Sequence, residues 1–304
     1  MAPIFDAQFD QYRLGTRFLA DHYEHDIAYE SQVRAEKWRR VRCLGEGSSA
    51  KVWLEQDEDG KCRAVKQISK PKILNERELV ALTKLGEYLE YFVQFFGWFE
   101  DNKFIYFAME YAENGNLYEL LEKGNILERD MKVIAKQLLA GLQVMHENNF
   151  CHRDIKPENI LVVSLSPIVV KIADFGTSKQ IIAGTELETE EVGSERYIAP
   201  EVTGLFQSET SVYSNAVDMW SLGCLIHFMF TDSTPFPTFR RLNHYVQHEN
   251  FPETELRKSN AGSDAIAFVI RLMRLKPSDR LTAEEALMDP WLCIQEEGEC
   301  DKGF

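Results

Sequence analysis

The chain has 304 residues, 44% hydrophobic and 27% charged, with a formal net charge of −15 and a pI near 5.0. That is enough chain for a sizeable core and for two lobes, and 12% aromatic residues argue against disorder. The acidic balance argues against nucleic acid as a non-specific partner. No apolar run approaches the roughly 18–20 residues of a membrane span, and the opening MAPIFDAQFDQYRLG lacks the apolar core of a signal peptide. The six cysteines (Cys43, Cys62, Cys151, Cys224, Cys293, Cys300) form no C-x-x-C pair. They read as buried thiols of a reducing compartment, not as a disulfide framework or zinc site. A cytoplasmic or nuclear globular protein is the expectation.

In chain order, residues 1–37 are mixed polar and aromatic and assign to nothing. Their last stretch, ESQVRAEKWRRVR, reads as a helix leading into a strand. From Trp38 to about Tyr111 the pattern is strand-like: WRRVRCLG, AKVWLEQ, CRAVKQIS, FVQFFGWFED and KFIYFAMEY, separated by Asp-, Gly- or Asn-containing turns. One helical segment, NERELVALTKLGEYL, interrupts them, with Leu79, Leu82 and Leu85 at helical spacing. After ENGN long amphipathic segments take over, among them DMKVIAKQLLAGLQVMHENN and NAVDMWSLGCLIHFMF. The expected fold is α+β and two-lobed: a small antiparallel sheet with one helix over about 38–108, a connection at 109–113, and a larger, mainly helical part over 114–292. Residues 293–304 remain as a short tail.

Four stretches carry candidate chemistry. LGEGSSAKVW (Leu44–Trp53) sets Gly45 and Gly47 in a hairpin, where backbone N–H groups can approach a phosphate with no Cβ in the way. Because a hairpin follows and not a helix, a Rossmann loop is the wrong comparison. In CRAVKQI, Ala64 and Lys66 share a strand face, and a lysine in an apolar run needs an anion, either phosphate or carboxylate. Glu78 on the helix is one candidate partner and Glu76 another. FCHRDIKPENILVV places Asp154 between Arg153 and Lys156, with Asn159 five residues on, and KIADFG brings a further carboxylate, Asp174.

HRDIKPEN (His152–Asn159), KIADFG (Lys171–Gly176), YIAPE (Tyr197–Glu201), DMWSLG (Asp218–Gly223) and DRLTAEEAL (Asp279–Leu287) follow one another in the order of the eukaryotic protein kinases. The chain resembles that family over about residues 39–292, in its serine/threonine form, and looks closest to the calmodulin-dependent and checkpoint-like branch. The resemblance implies ATP and Mg2+ as cofactors and protein Ser/Thr hydroxyls as acceptors. Asp154 would orient the acceptor hydroxyl, Lys156 would offset charge on the transferring phosphoryl, and Asn159 and Asp174 would ligate magnesium. Lys66, paired with Glu78, would hold the α/β-phosphates under Leu44, Gly45, Glu46, Gly47, Ser48, Ser49 and Ala50. Ala50 replaces the family's third glycine.

Val52, Ala64, Leu117 and Leu161 would stack about the adenine, whose edge meets the backbone of Met109, Glu110 and Tyr111. Asn116 stands where many relatives carry a carboxylate for the ribose. Leu82, Phe95, His152 and Phe175 would form a column standing on Asp218, with Gly176 completing the D-F-G turn. Glu201 and Arg280 would form a structural ion pair. Arg153 implies control through an anion on the segment Asp174–Glu201, for which Thr185 and Thr189 are phosphoacceptor candidates and Glu190 or Glu191 a built-in substitute. Ser194 fills the position of a hydroxyl near the catalytic aspartate. Glu158 implies a preference for basic residues upstream of the target. The alternative is a catalytically weak pseudokinase scaffold, although Lys66, Asp154 and Asp174 are all present.

Overall fold

In the computed structural model, residues 7–29, 32–47, 50–70, 77–124, 126–181, 194–205 and 215–293 are described. The chain divides into two compact units, residues 1–113 and 114–304.

The first unit is built on a seven-stranded sheet. Its strands are β1 (Gly15–Phe18), β2 (Tyr23–Tyr29), β3 (Gln32–Glu46), β4 (Ala50–Asp57), β5 (Cys62–Ser69), β6 (Phe95–Glu100) and β7 (Phe104–Met109), in the order β1-β2-β3-β4-β5-β7-β6 with antiparallel pairing throughout. One helix, α1 (Arg77–Leu85), buries Leu79, Leu82 and Leu85. Among residues 1–37, the described ones supply two whole strands and the start of a third.

The expected helix before Trp38 is absent. Residues 32–46 form one long strand paired with β2 on one side (Tyr23↔Trp38, His25↔Glu36) and β4 on the other (Trp38↔Asp57). The helix propensity of Ala35, Glu36 and Lys37 is worth a few tenths of a kcal/mol per residue. Two flanking ladders and the burial of Trp38, 2% exposed, outweigh it.

The sheet's edges also meet. Arg13 bridges Trp98 in parallel, and the Leu14 N–H donates to the Trp98 carbonyl at 2.8 Å, drawing the start of β1 onto β6. Gly97 permits the approach: its φ is +136°, and a Cβ there would lie 2.6 Å from the Tyr12 carbonyl oxygen. The curled sheet encloses Tyr23, Trp38, Val65, Phe99, Tyr106 and Ala108, with Phe99 and Tyr106 stacked at 4.7 Å.

The second unit contains α2 (Leu117–Glu122), α3 (Glu128–Glu147), α4 (Ala216–Thr231), α5 (Phe239–His248), α6 (Thr254–Lys258), α7 (Ser263–Leu272) and α8 (Ala283–Leu287). Two small pairs of strands accompany them, β8 (Phe150–Cys151) with β11 (Lys179–Gln180) and β9 (Ile160–Leu165) with β10 (Ile168–Ile172). Met131, Ile134, Leu138, Leu142 and Met145 form the buried stripe of α3. In α4 every residue from Val217 to His227 is buried, so this helix is core on all sides and brings Asp218 inside with it.

The cysteines only partly match the expectation of buried thiols. Cys151 and Cys224 are buried, and desolvation pushes both thiols up. Cys43 and Cys293 are exposed and Cys62 is half-buried; all five are free, and Cys300 lies outside the described residues. Cys43 sits on the open part of β3, beyond the stretch whose side chains the aromatic core covers. Among the described residues no helix is long and apolar enough to cross a membrane.

Candidate active site

The second unit gathers the residues of the H-R-D loop around one carboxylate. Asp154 Oδ2 accepts from Lys156 Nζ at 2.6 Å and from Asn159 Nδ2 at 2.9 Å. Its Oδ1 accepts from both the backbone N–H and the hydroxyl of Ser194, each at 3.0 Å. Lys156 Nζ also donates to the Ser194 hydroxyl oxygen at 2.8 Å, closing a triangle of Asp154, Lys156 and Ser194. Asn159 Nδ2 donates a second time, to the Asp154 carbonyl at 2.8 Å. With its nitrogen so committed, the amide presents Oδ1 as the atom for a cation.

Local sequence explains how the loop is shaped. Pro157 opens a single 3-10 turn, Pro157–Asn159, and Ile160 begins β9 directly after it. β9 pairs with β10, which ends at Ile172 just before the D-F-G turn. The Ala173 N–H donates to the Asn159 carbonyl at 2.9 Å, tying the strand that delivers Asp174 to the loop carrying Asn159. Asp174 itself is exposed and left-handed (φ +60°), and accepts from the Gly176 N–H at 3.4 Å. An amide oxygen and a carboxylate are hard donors of the kind magnesium takes together with phosphate oxygens and water. This donor set fits the metal.

His152 and Asp218 hold the loop from behind. The His152 ring is fully buried; its Nε2 donates to the Ala173 carbonyl at 3.0 Å, and its Nδ1 accepts from the Asp154 N–H at 3.3 Å. One imidazole thus fixes the backbones beside both Asp154 and Asp174, and its ring lies 5.6 Å from that of Phe175. Asp218 accepts the N–H groups of His152 (2.9 Å) and Arg153 (2.8 Å), and the His146 ring meets it at 3.0 Å. Burial alone would push the Asp218 carboxyl up, but these hydrogen bonds and the neighbouring His146 hold it below its ordinary value. Sequence reasoning missed His146: in VMHENN it looks like one more polar residue on α3, and only the fold brings it to Asp218. The Arg153 Nε donates to the Thr177 carbonyl at 2.7 Å, a second partner the motif does not announce.

The ion pair of the helical unit is complete. Arg280 reaches Glu201 through Nη1 (2.6 Å) and Nη2 (2.7 Å), and its other three N–H groups go to the carbonyls of Arg274, Ala216 and Leu275. All five guanidinium donors are used.

In the first unit Lys66 Nζ meets Glu78 Oε1 at 2.5 Å; Glu76 lies outside the described residues. Val52 pairs with Lys66 and Ala64 with Met109 across neighbouring strands, setting these candidate nucleotide contacts side by side. Gly45 and Gly47 lie in the hairpin between Leu44 and Ala50, where Glu46 pairs with Lys51 at 2.8 Å. A Cβ built at Gly45 meets nothing within 4 Å and one at Gly47 only the Ala50 carbonyl at 3.9 Å. Among the described residues, packing within the unit requires neither glycine. Glu110 is fixed by a backbone bond to Gln94, and the Tyr111 hydroxyl accepts from Arg42 at 3.3 Å.

Several expected residues have other roles or lie out of view. Asn116 caps α2, accepting from the Glu119 N–H at 2.9 Å, with its bridge partner Leu161 alongside. Glu158 is exposed near Tyr118, whose hydroxyl is pushed up first by Glu122 and also by Glu158. Ser48, Ser49, Thr185, Thr189, Glu190 and Glu191 lie outside the described residues.

Comparison with known proteins agrees with this architecture. Residues 38–292 match the protein kinase domain. The chain is 33% identical over 268 residues to the serine/threonine-protein kinase RAD53 of Saccharomyces cerevisiae, covering 82% of this chain and 32% of that protein. It is 35% identical over 270 residues to the serine/threonine-protein kinase cds1 of Schizosaccharomyces pombe, covering 83% and 57%. The calcium/calmodulin-dependent protein kinase cmkA of Emericella nidulans is 33% identical over 279 residues, with 86% and 64% covered. The chain thus spans between a third and two thirds of the length of these relatives. The match to the family covers most of the chain's residues, and the chain belongs to the protein kinase domain family.

Proposed function

We propose that this chain is a serine/threonine protein kinase that transfers the γ-phosphate of ATP to hydroxyl groups of protein substrates. The observation that carries the reading is the hydrogen-bonded set Asp154, Lys156, Asn159 and Ser194. Asp154 would accept the hydrogen bond of the incoming hydroxyl and align its oxygen for in-line attack. Lys156 would stabilise negative charge that builds on the phosphoryl oxygens. Ser194 restrains both, so the carboxylate keeps one orientation. Asn159 Oδ1 and the Asp174 carboxylate would hold magnesium, which when bound neutralises phosphate charge. Lys66, oriented by Glu78, would hold the remaining phosphates.

The acidic surroundings of the loop favour basic substrates. Glu158 is exposed on the H-R-D loop, and Glu122, Glu158 and the opposing Arg196 all act on the nearby Tyr118 hydroxyl. This supports a preference for Arg or Lys upstream of the target residue. The free cysteines suit a cytoplasmic or nuclear setting.

The test is magnesium-dependent transfer of labelled phosphate from ATP to histone, compared between the natural chain and Asp154→Asn. The variant is expected to lose on the order of 10²–10⁴-fold in rate. Transfer by Asp154→Asn at the natural rate would refute the assignment, and no transfer by either protein would leave a binding scaffold as the better reading.

A further inference from the structure

The two faces of β5 serve different cores. Ala64 and Lys66 point to one side, Lys66 toward Glu78, while Arg63 and Val65 point to the other, into the core closed by the N-terminal strands. Arg63 is 3% exposed, His25 and Glu55 0%. The guanidinium lies 3.9 Å over the Trp38 ring, and its Nε donates to Glu55 Oε2 at 3.0 Å.

From Arg63 a relay of hydrogen bonds crosses the sheet. Arg63 Nη2 donates to His25 Nε2 at 2.8 Å, so that nitrogen is the acceptor and the proton sits on Nδ1. His25 Nδ1 then donates to Thr16 Oγ1 at 2.9 Å, and the Thr16 hydroxyl donates to the Leu14 carbonyl at 2.9 Å. The Leu14 N–H donates to the Trp98 carbonyl at 2.8 Å. The relay runs from β5 through β2 and β1 to β6, across the place where the sheet's edges meet. Every donor in it has one direction, fixed by the first step.

We propose that His25, acting through Arg63, is a positioning residue for Lys66, and that the β1–β2 strand pair sets how firmly that lysine is held. A buried guanidinium cannot be left without acceptors. Arg63 Nη2 has His25 Nε2 at 2.8 Å and Glu55 Oε2 at 3.0 Å, against a longer 3.5 Å contact to the Tyr23 hydroxyl, so Arg63 goes chiefly where His25 and Glu55 require. Arg63 and Lys66 are three residues apart on one strand, about 10 Å along it. A twist of β5 that followed a displaced Arg63 would swing Lys66, whose ammonium sits at the end of a four-carbon stem. The role in phosphate binding rests on the kinase reading; the hold on Lys66 does not.

The experiment uses the full chain and its His25→Ala, His25→Gln and Thr16→Val variants, without nucleotide and well below their melting temperatures. The rate of Lys66 acylation by an amine-reactive ester is read by peptide mass spectrometry, with exposed Lys103 as internal control. His25→Ala should speed Lys66 acylation by roughly two- to tenfold, the range that one lost hydrogen bond spans, and leave Lys103 unchanged. His25→Gln, able to accept from Arg63 and donate to Thr16, should restore the natural rate. kcat/KM for ATP should fall with the rise in labelling. Unchanged Lys66 labelling in a folded but less stable His25→Ala protein would overturn the inference. Should that variant not fold, unchanged Lys66 labelling in Thr16→Val, which breaks the next link, would do the same. A natural chain that transfers no phosphate yet shows the labelling change would sink the kinase reading and leave the clasp on Lys66 intact.

Discussion

The buried histidine of the closed sheet gives a pH experiment with a definite sign. His25 is fully buried beside a guanidinium; burial first, and then Arg63, lower its value from 6.5 to about 3. Protonation would also destroy the acceptor that Arg63 uses. A histidine whose folded value is depressed contributes stability that is present above its unfolded value and is lost as the pH falls toward its folded value. Between pH 7.5 and pH 5 the imidazole takes up close to one proton in the unfolded chain that the folded state refuses, and over the roughly 1.5 pH units below its unfolded value this amounts to about 2 kcal/mol. Glu55 works in the opposite sense. Burial pushes its carboxyl up to about 7 against the pull of Arg63, so its contribution is present at low pH and is lost as the pH rises through about 7. The natural chain mixes both contributions, and its own profile decides nothing. The quantity to read is the difference in unfolding free energy between the natural chain and His25→Gln, from urea titrations at pH 7.5 and pH 5. Glutamine cannot take up a proton, so the natural chain should lose about 2 kcal/mol more than the variant on acidification. A difference that stays constant would refute the neutral, clasped histidine.

Three further perturbations test the second unit. Ser194→Ala removes a hydroxyl bonded to both Asp154 and Lys156; kcat/KM should fall about ten- to a hundredfold, as for one charge-assisted hydrogen bond, and Ser194→Thr should recover most of it. Glu201→Ala strands a guanidinium whose side chain is 0% exposed, and chemical unfolding should report a loss of about 3–5 kcal/mol. Replacing Glu122 and Glu158 together by glutamine should flatten the preference for upstream basic residues on a peptide array, while activity on a neutral peptide stays near that of the natural chain.

The sequence made the middle of the first unit and the long helices legible for different reasons. CRAVKQIS is a short run, rich in apolar and β-branched residues and bounded by turn residues, that is covered on both faces, while α3 keeps its apolar residues on one stripe. The N-terminal strands escaped for a physical reason. Their inward positions include His25, and the residues they cover on neighbouring strands include Arg63 and Glu55, so the alternation of burial is not an alternation of hydropathy. ESQVRAEKWRRVR consequently reads as a helix leading into a strand, although the strand already runs from Gln32. The active loop was legible because Asp154, Lys156 and Asn159 lie within six residues of one another and their relation is local. Ser194, His146 and Thr177 were harder: each meets the loop across 24 to 72 positions along the chain or through a helix partner. Asn116 also caps α2, a role that its place in the motif order does not announce.

Three non-glycine residues near the catalytic loop adopt left-handed backbones: Asn149 (φ +61°), Arg153 (φ +67°) and Asp174 (φ +60°). For Arg153 this costs about 1–2 kcal/mol, and less for Asn149 and Asp174, whose short polar side chains tolerate the region. The compensation comes from elsewhere in the unit. Asp218, placed inside by a helix buried all round, accepts the N–H groups of His152 and Arg153, and charge-assisted bonds of this kind are worth about 1.5–3 kcal/mol each. His152 transmits the same anchorage to Ala173, the residue before Asp174. The Ile181 N–H, beyond the D-F-G turn, donates to the Asn149 carbonyl at 2.7 Å and fastens the third strained residue. Near the loop the strain thus falls on Asn149, Arg153 and Asp174 itself, while groups that offset it sit in the core. Loosening the core at Asp218 would relax the backbone at both carboxylates at once, because Asp218 holds the backbone of His152 and Arg153 and His152 holds that of Ala173.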